Sequence, residues 1–254
     1  MDDAPALDSA QALVAVLSTM PRERLEALLA GDAQTAAPWI VAAACYGLPS
    51  AQLRLGRMLL EGVGMARDAE AALGWFRHAA EQGEPEAQNM VGRCLENGWG
   101  APASAAVAAP WFWKAAEAGS AWAQYNLGHL LLDGLGVRRD PVAAYGWYYR
   151  AAEQGHARAM NLVGRCCEQG WGVTVDAAAA RRWYRRSAEA GYFRGQFNYA
   201  SVLAAEGREH EATSWFETAL AGAPGPSRIA MAEALAASPS AAHRAFAARE
   251  LAAC

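Results

Sequence analysis

The sequence predicts an all-α fold in which pairs of helices are stacked along the chain, and three observations support this. Alanine makes up about a quarter of the 254 residues, a composition that favours helices. Tryptophan and glycine recur with a spacing of 36 residues, a period typical of repeat proteins. Within each period, glycines and N-capping residues mark the ends of two helices. The fold class is therefore that of a helical repeat protein.

The 36-residue period is kept at several positions of the repeat without slippage. These positions are Trp39, Trp75, Trp111, Trp147 and Trp183; Gly47, Gly83, Gly119, Gly155 and Gly191; Ala51, Ala87, Ala123 and Ala159; Gly56, Gly92, Gly128 and Gly164; and the G-x-G pairs that begin at Gly62, Gly98, Gly134 and Gly170. The segments NMVGRCLENGWG (89–100) and NLVGRCCEQGWG (161–172) are 72 residues apart and more alike than adjacent repeats. The repeats therefore appear in alternating pairs.

Each repeat is predicted to contain two helices, which we call helix A and helix B. Helix A of the first repeat covers residues 51–61, where Ala51, Leu55 and Leu59 have helical spacing and Gly56 lets a neighbouring helix approach. The G-x-G motif ends helix A. Helix B begins near residues 69, 105, 141 and 177, after the N-caps Asp68, Ser104, Asp140 and Asp176. Its tryptophan is predicted to interlock with small alanines of stacked helices.

Charge and hydropathy exclude several classes of partner. The formal net charge is −4 and the basic residues form no cluster, so nucleic acid is not an expected ligand. No apolar run approaches the ~18 residues that cross a bilayer, and the apolar stretch 12–17 is shorter than expected for a signal peptide. We expect a cytoplasmic protein without a membrane partner. Arginine almost replaces lysine, with Lys114 as the only lysine, which indicates a GC-rich bacterial genome.

Residues that could carry chemistry are not grouped in any known catalytic or metal-binding motif. The sequence has no H-E-x-x-H, G-x-S-x-G, S-x-x-K or phosphate-binding loop. The five histidines share no metal-ligand spacing and are expected at the surface. Cys94, Cys166 and Cys167 occupy apolar positions of the repeat, which predicts thiols in the core. We therefore expect no catalytic residue, no metal and no cofactor.

These motifs resemble the Sel1-like repeat, a relative of the tetratricopeptide repeat with a longer loop between its helices. The segment AQYNLGHLLLDGLGVRRDPVAAYGWYYRAAEQG (123–155) matches that pattern almost end to end. The resemblance implies a right-handed α/α superhelix, or solenoid, with four full repeats over residues 51–191. Residues 36–50 resemble a lone helix B, and residues 192–223 a shortened tetratricopeptide-like repeat without G-x-G. Residues 1–35 and 224–254 are expected to form helical caps.

The resemblance also implies a function, which is non-catalytic binding of an unidentified protein or peptide by an adaptor or scaffold. In tetratricopeptide relatives helix A lines the concave side, and the asparagine of YNLG binds a peptide backbone. A row of basic residues one turn further on could bind carboxylates. The predicted partner-binding residues are Arg57, Asn89, Arg93, Asn97, Tyr125, Asn126, His129, Asp133, Asn161, Arg165 and Asn198.

Three alternatives stay open. The arginines could instead form ion pairs within their own helices. Those pairs would be Arg57 with Glu61, Arg93 with Glu96 and Arg165 with Glu168. The segment AGYFRGQFNYA (190–200) resembles short proteobacterial members of the family encoded beside iron-uptake receptors and Fe(II)/2-oxoglutarate hydroxylases, which implies an accessory role. Some cysteine-rich relatives are linked to β-lactam binding or hydrolysis, although this chain offers no matching nucleophile and base.

Overall fold

The computed structural model describes residues 16, 19, 20 and 32–252. Between residues 33 and 252 the chain forms thirteen α-helices and no β-strand, which confirms the predicted all-α class. The chain divides after Arg139 into two compact units. The cap predicted at residues 1–35 lies almost entirely outside the described residues.

The first unit contains six described helices, each packed against the next in the chain. They are α1 (Ala33–Cys45), α2 (Pro49–Glu61), α3 (Ala69–Glu81), α4 (Pro85–Asn97), α5 (Ala105–Glu117) and α6 (Ala121–Asp133). Helices α2, α4 and α6 are helix A of successive repeats, and α3 and α5 are helix B. Helix α1 carries Trp39 at the helix B position and packs against α2.

The second unit contains seven described helices. They are α7 (Pro141–Glu153), α8 (Ala157–Gln169), α9 (Ala177–Glu189), α10 (Phe193–Ala205), α11 (Glu209–Gly222), α12 (Gly225–Ala236) and α13 (Ala241–Ala252). Helices α8 and α10 are helix A, and α7, α9 and α11 are helix B. Helices α12 and α13 pack against each other in the segment for which the sequence predicts a cap.

Both ends of the loop between helix A and helix B are where the sequence places them. Helix α2 ends at Gly62 and α4 ends at Gly98, with left-handed φ values of 72° and 75°. Helix α3 begins after Asp68, whose carboxylate accepts a hydrogen bond from the backbone N–H of Ala71 at 2.9 Å. Asp176 caps α9 in the same way. The predicted helix stops and N-caps are therefore confirmed.

An aromatic ring of helix B fills a notch left by a glycine of helix A in the same repeat. Phe112 is completely buried, and a Cβ added to Gly92 would lie 2.7 Å from its ring. Two other pairs repeat this contact, Gly56 with Phe76 and Gly164 with Tyr184. The expected close approach at the helix A glycine is confirmed, and it is an aromatic side chain that occupies the space.

The repeated tryptophan of helix B lies nearer to the surface than the aromatic residue that directly follows it in the sequence. Trp75 and Trp111 are half-buried, whereas Trp147 is 9% exposed and counts as buried, as predicted. The next aromatic, Phe112 after Trp111 and Tyr148 after Trp147, is completely buried. The innermost anchor of each helix B is therefore the residue after tryptophan.

The second glycine of each G-x-G loop touches the preceding repeat. Gly64, Gly100, Gly136 and Gly172 all have positive φ values between 67° and 77°. A Cβ on Gly100 would overlap the carbonyl of Ala69 at the start of α3, and Gly172 meets Pro141 at the start of α7 in the same way. Each loop therefore covers the first turn of the preceding helix B in its own unit, backbone against backbone.

A buried glutamine at the start of helix A bonds α2, α4, α6 and α10 to the helix B before each of them, whereas α8 has Met160 at this position. The side-chain amide of Gln88 donates to the carbonyl oxygen of Ala80 at 3.2 Å. The carbonyls of the last turn of a helix have no partner within that helix, so this bond satisfies one of them. The equivalent bonds are Gln52 to Ala44, Gln124 to Ala116 and Gln196 to Ala188. Our sequence reasoning missed this column, although its spacing of 36 residues is visible.

Candidate functional site

The predicted row of basic residues reaches the surface in each unit. In the first unit Arg57, Arg93 and His129 stand at one position of α2, α4 and α6, with a spacing of 36 residues. Arg57 is exposed, and Arg93 and His129 are half-buried. In the second unit Arg165 on α8 is exposed. Each unit therefore presents cationic or imidazole groups on its A helices.

Two arginines of the row lie over tryptophan rings of the following G-W-G loop. The guanidinium carbon of Arg93 is 5.3 Å from the ring centroid of Trp99, and that of Arg165 is 4.8 Å from Trp171. A guanidinium over an indole face is attracted by the ring quadrupole. The loop tryptophans thus restrict the rotamers of the two arginine side chains.

Asparagine pairs connect neighbouring A helices beside this row. Asn126 on α6 donates to the side-chain oxygen of Asn89 on α4 at 2.9 Å, and Asn198 on α10 donates to Asn161 on α8 at 2.8 Å. Asn89 is only 2% exposed and Asn161 only 4%. Two of the predicted partner-binding residues are therefore buried and bonded to two others, which are half-buried.

These contacts account for the alternation of the repeats. Both the arginine–tryptophan stack and the asparagine pair recur after 72 residues. In the other repeats the loop residue is Val63 or Leu135, and the position of Asn89 holds Leu53 or Tyr125. The two segments that are most alike, 89–100 and 161–172, therefore supply the same pair of contacts.

The alternative that the arginines pair within their helices is wrong at these positions. Among the described residues, no ion pair joins Arg57 to Glu61, Arg93 to Glu96 or Arg165 to Glu168. Glu168 accepts a hydrogen bond from the hydroxyl of Tyr184 at 2.9 Å instead. Burial raises the pKa of Glu96, and the nearby charge of Arg93 opposes this only in part.

Aromatic side chains extend the row on α6. Tyr125 is in edge-to-face contact with Trp122 at 6.1 Å and with His129 at 4.7 Å. Trp122 is exposed, and the sequence reasoning did not single it out. Asn97 and Asp133 are exposed at the ends of their helices, and Asn97 donates to the carbonyl oxygen of Arg93 at 2.8 Å.

Comparison with protein families decides the class of the chain. The Sel1 repeat model matches four segments, 49–84, 85–120, 123–156 and 157–192, which together make up more than half of the chain. The chain belongs to the Sel1 repeat family. The matched segments correspond to the pairs α2–α3, α4–α5, α6–α7 and α8–α9. A comparison with curated proteins gave no match.

Solved structures with the same fold include other Sel1 repeat proteins. A Sel1 repeat protein from Oxalobacter formigenes is 28% identical with a TM-score of 0.75, and the match covers 89% of this chain and 98% of that one. A protective antigen of uropathogenic Escherichia coli with an SLR fold is 26% identical with a TM-score of 0.72, over 96% of this chain. This chain spans only 54% of that antigen's length. An immunity protein from Pseudomonas aeruginosa shares the fold at 14% identity, with a TM-score of 0.53 over 81% of each chain.

The thiols of this Sel1 repeat protein are core residues, as predicted. Cys94, Cys166 and Cys167 are buried and unpaired. Burial raises the pKa of Cys94 to about 11 and that of Cys166 to about 12, so neither is a thiolate at neutral pH. In the part of the chain that the structure describes, no three His, Cys, Asp or Glu residues are placed to hold a metal, and no helix is long and apolar enough to cross a bilayer.

The expected surface position is wrong for His243. Its side chain is 1% exposed between α11 and α13, with Nε2 3.2 Å from a carboxylate oxygen of Glu209 and Nδ1 3.3 Å from the hydroxyl of Ser238. The ring of Phe216 lies against it at 5.0 Å. His243 therefore connects the last helix to α11, a contact that repeat periodicity does not predict because it lies outside the repeats.

His156 is expected to make the fold less stable as the pH falls from about 6.5 towards 4. It caps α8 by accepting the N–H of Ala159 on Nδ1 at 3.1 Å, which requires a neutral ring. Burial, and then the charge of Arg158, lowers its pKa from 6.5 to about 4. The unfolded chain therefore binds this proton at a higher pH than the folded chain, and stability is lost below the unfolded pKa. With allowance for solvent screening, we expect a loss of about 1–2 kcal/mol.

The measurement is urea unfolding at several pH values between neutral pH and pH ~4.5. The matched control is His156→Asn, which keeps a capping side chain but does not titrate. Because this variant lacks the histidine, its stability should depend less on pH than that of the wild type. An identical pH dependence of the two proteins would contradict the assignment.

Proposed function

We propose that this Sel1 repeat protein is a non-catalytic adaptor or scaffold that binds a protein or peptide through the exposed faces of its A helices. Sel1 repeats commonly mediate protein–protein interactions. The observation that carries the proposal is the stacking of Arg93 and Arg165 over loop tryptophans on helices that also carry asparagine pairs. A restricted arginine beside side-chain amides suits the carboxylates and backbone amides of a peptide.

The proposed residues have different roles in this surface. Asn89 and Asn161 are buried, and we assign them the role of holding Asn126 and Asn198 in place. Each of the latter uses one amide hydrogen in its pair, and a carboxamide has a second hydrogen and an oxygen. Those groups match the backbone of an extended peptide. The other proposed contact residues are Arg57, Arg93, Asn97, Tyr125, His129, Asp133 and Arg165. No contact among the described residues favours the iron-uptake or β-lactam alternatives.

The test replaces Arg93 and Arg165 together by alanine. The tagged protein is used to capture a partner from its host, and the affinity of the purified partner for each variant is then measured. Loss of two charge-assisted hydrogen bonds should weaken binding by about tenfold or more. Stability should change little, because a cation–π contact at an exposed site contributes only ~0.5–1 kcal/mol.

The matched control is the double variant Arg150→Ala, Arg186→Ala on helix B. These arginines also lie over tryptophan rings, Arg150 over Trp147 at 4.6 Å and Arg186 over Trp183 at 4.2 Å. The control therefore loses two cation–π contacts, as the helix A variant does, and in addition the ion pair of Arg186 with Glu153 at 2.8 Å. If the control weakens capture and the helix A variant does not, the partner binds the B helices. If neither variant changes affinity, the proposed surface is wrong.

A further inference from the structure

The fifth helix pair lacks the loop that covers the preceding helix B in the other repeats. Seven residues, 170–176, connect α8 to α9, and they include Gly172 packed on the start of α7. Only three residues, 206–208, connect α10 to α11. These three residues contain no G-x-G motif. The first turn of α9 therefore has no such loop over it.

An open groove lies at this uncovered turn, between α9 and α10. Its cavity volume is about 700 Å³, within the range of ligand-binding clefts. Small apolar residues form part of its wall, among them Ala177 and Ala178 in the first turn of α9 and Ala205 at the end of α10. Three arginines, Arg181, Arg182 and Arg185, line it as well, together with Glu168 and Glu206. None of the proposed helix A contact residues lines this groove.

The three arginines of the groove differ in their partners. Arg181 is 3.2 Å from Glu206, and Arg185 is 2.7 Å from Glu189 on the same helix. Arg182 is exposed and forms no ion pair with any carboxylate of the described residues. The groove therefore contains one guanidinium, that of Arg182, whose charge is not neutralised by an ion pair. The carboxylate of Glu168 in the same wall accepts a hydrogen bond from the hydroxyl of Tyr184 and forms no ion pair with the described residues either.

Two of these arginines, Arg181 and Arg182, occur only where the loop is missing. The position of Arg182 holds glycine or proline in the three preceding repeats, and the position of Arg181 holds leucine, alanine or tyrosine. The equivalents are Gly74, Pro110 and Gly146 for Arg182, and Leu73, Ala109 and Tyr145 for Arg181. The uncovered helix start and the two added charges thus coincide in one repeat.

We propose that this groove binds a short acidic segment of a partner protein. The segment lies extended over the first turn of α9, where the missing loop would lie, with small residues against Ala177 and Ala178. One carboxylate binds Arg182 through two parallel N–H···O bonds, and a second carboxylate approaches Arg185 in competition with Glu189. The planar fork of arginine favours carboxylates over neutral amides, which sets the acidic specificity.

The experiment uses the full chain and a fluorescein-labelled octapeptide of three glutamates, three alanines and two glycines. Fluorescence anisotropy at low salt should show saturable binding that weakens as salt screens the charges. The same peptide with glutamine in place of glutamate should not bind. Arg182→Ala combined with Arg185→Ala should weaken binding by about tenfold or more. Absence of saturable binding to the wild type overturns the proposal.

Two controls distinguish this groove from other basic surfaces. Arg77 stands at the repeat position of Arg185, on α3, whose first turn is covered by the loop containing Gly100. Arg77→Ala should leave peptide binding unchanged. In a second variant, residues 206–208 are replaced by the sequence of the seven-residue loop 170–176, which should cover the groove and abolish binding while helicity stays the same. Undiminished binding by the grafted chain would overturn the proposal.

The remaining outcomes separate this groove from the other candidates. The double variant Arg93→Ala, Arg165→Ala, measured with the same peptide, separates the groove from the helix A surface. If this variant loses binding while the Arg182, Arg185 variant keeps it, the peptide binds the helix A surface and the groove proposal is overturned. Sedimentation analysis of the wild type and of the Arg182→Ala, Arg185→Ala variant tests whether a second copy of the chain occupies the groove. If the wild type self-associates and this variant does not, the occupant of the groove is a second copy of the chain and not an acidic partner.

Discussion

Replacing Phe112 by alanine is expected to lower the free energy of unfolding by ~3–5 kcal/mol, the largest effect of any single change considered for this chain. The ring is completely buried and fills the notch at Gly92, so its removal leaves a cavity between α4 and α5. Packed interiors collapse only in part around such a cavity. Urea unfolding followed by far-UV circular dichroism measures the loss.

The control for Phe112 is the larger aromatic beside it. Trp111 is half-buried, so Trp111→Ala removes less buried area and should cost only ~1–2 kcal/mol. The repeat pattern alone would favour the opposite order, because tryptophan is the residue kept in every repeat. A larger loss for Trp111→Ala than for Phe112→Ala would mean that the tryptophan column is the true core.

Gly92→Ala is expected to destabilise the protein by ~1–3 kcal/mol, because the added methyl group overpacks the helix interface. Its Cβ would lie 2.7 Å from the Phe112 ring, so the two helices must separate or the ring must turn. This cost opposes the gain in helix propensity, up to ~1 kcal/mol, that alanine normally gives over glycine. The measurement is again urea unfolding.

A second glycine within a helix provides the matched control for Gly92. Gly74 lies inside α3, and a Cβ added there would meet nothing within 4 Å. Gly74→Ala should therefore stabilise the protein by ~0.5–1 kcal/mol. Two identical substitutions in helices of the same unit should thus have opposite signs. If both stabilise the protein, the notch at Gly92 is wider than the structure shows.

The helix boundaries could be predicted because they depend on interactions within a few residues. Gly62 ends α2 through its positive φ, and Asp68 caps α3 through a bond to an N–H three residues away. Because these local signals recur at a fixed spacing of 36 residues, they fix the position of each helix along the sequence. The depth of each aromatic could not be predicted in the same way. Whether Trp111 or Phe112 faces inward depends on the rotation of α5 against α4, which the spacing of residues does not fix.

The candidate site was predicted in position but not in its contacts. Surface access of Arg57, Arg93 and Arg165 follows from the repeat register, whereas the tryptophan stacked on Arg93 is six residues away in a loop. The asparagine pair joins residues 37 apart, while periodic analysis compares residues 36 apart and misses it. The groove at α9 was not predicted from the sequence for a similar reason. Its short loop is visible in the sequence, but the helix that such a loop covers belongs to the preceding repeat.

The asparagine pairs limit how the gene for this protein could lose repeats. Deletion of one repeat, residues 121–156, would bring Leu162 to the position of Asn126 and leave Asn89 buried without its partner. An unsatisfied buried amide costs about 1–3 kcal/mol. Deletion of two repeats, residues 121–192, would bring Asn198 to that position and restore the pair. At this pair, loss of two repeats is therefore expected to cost less stability than loss of one, which makes the double repeat of 72 residues the unit that can be removed without leaving a buried amide unpaired.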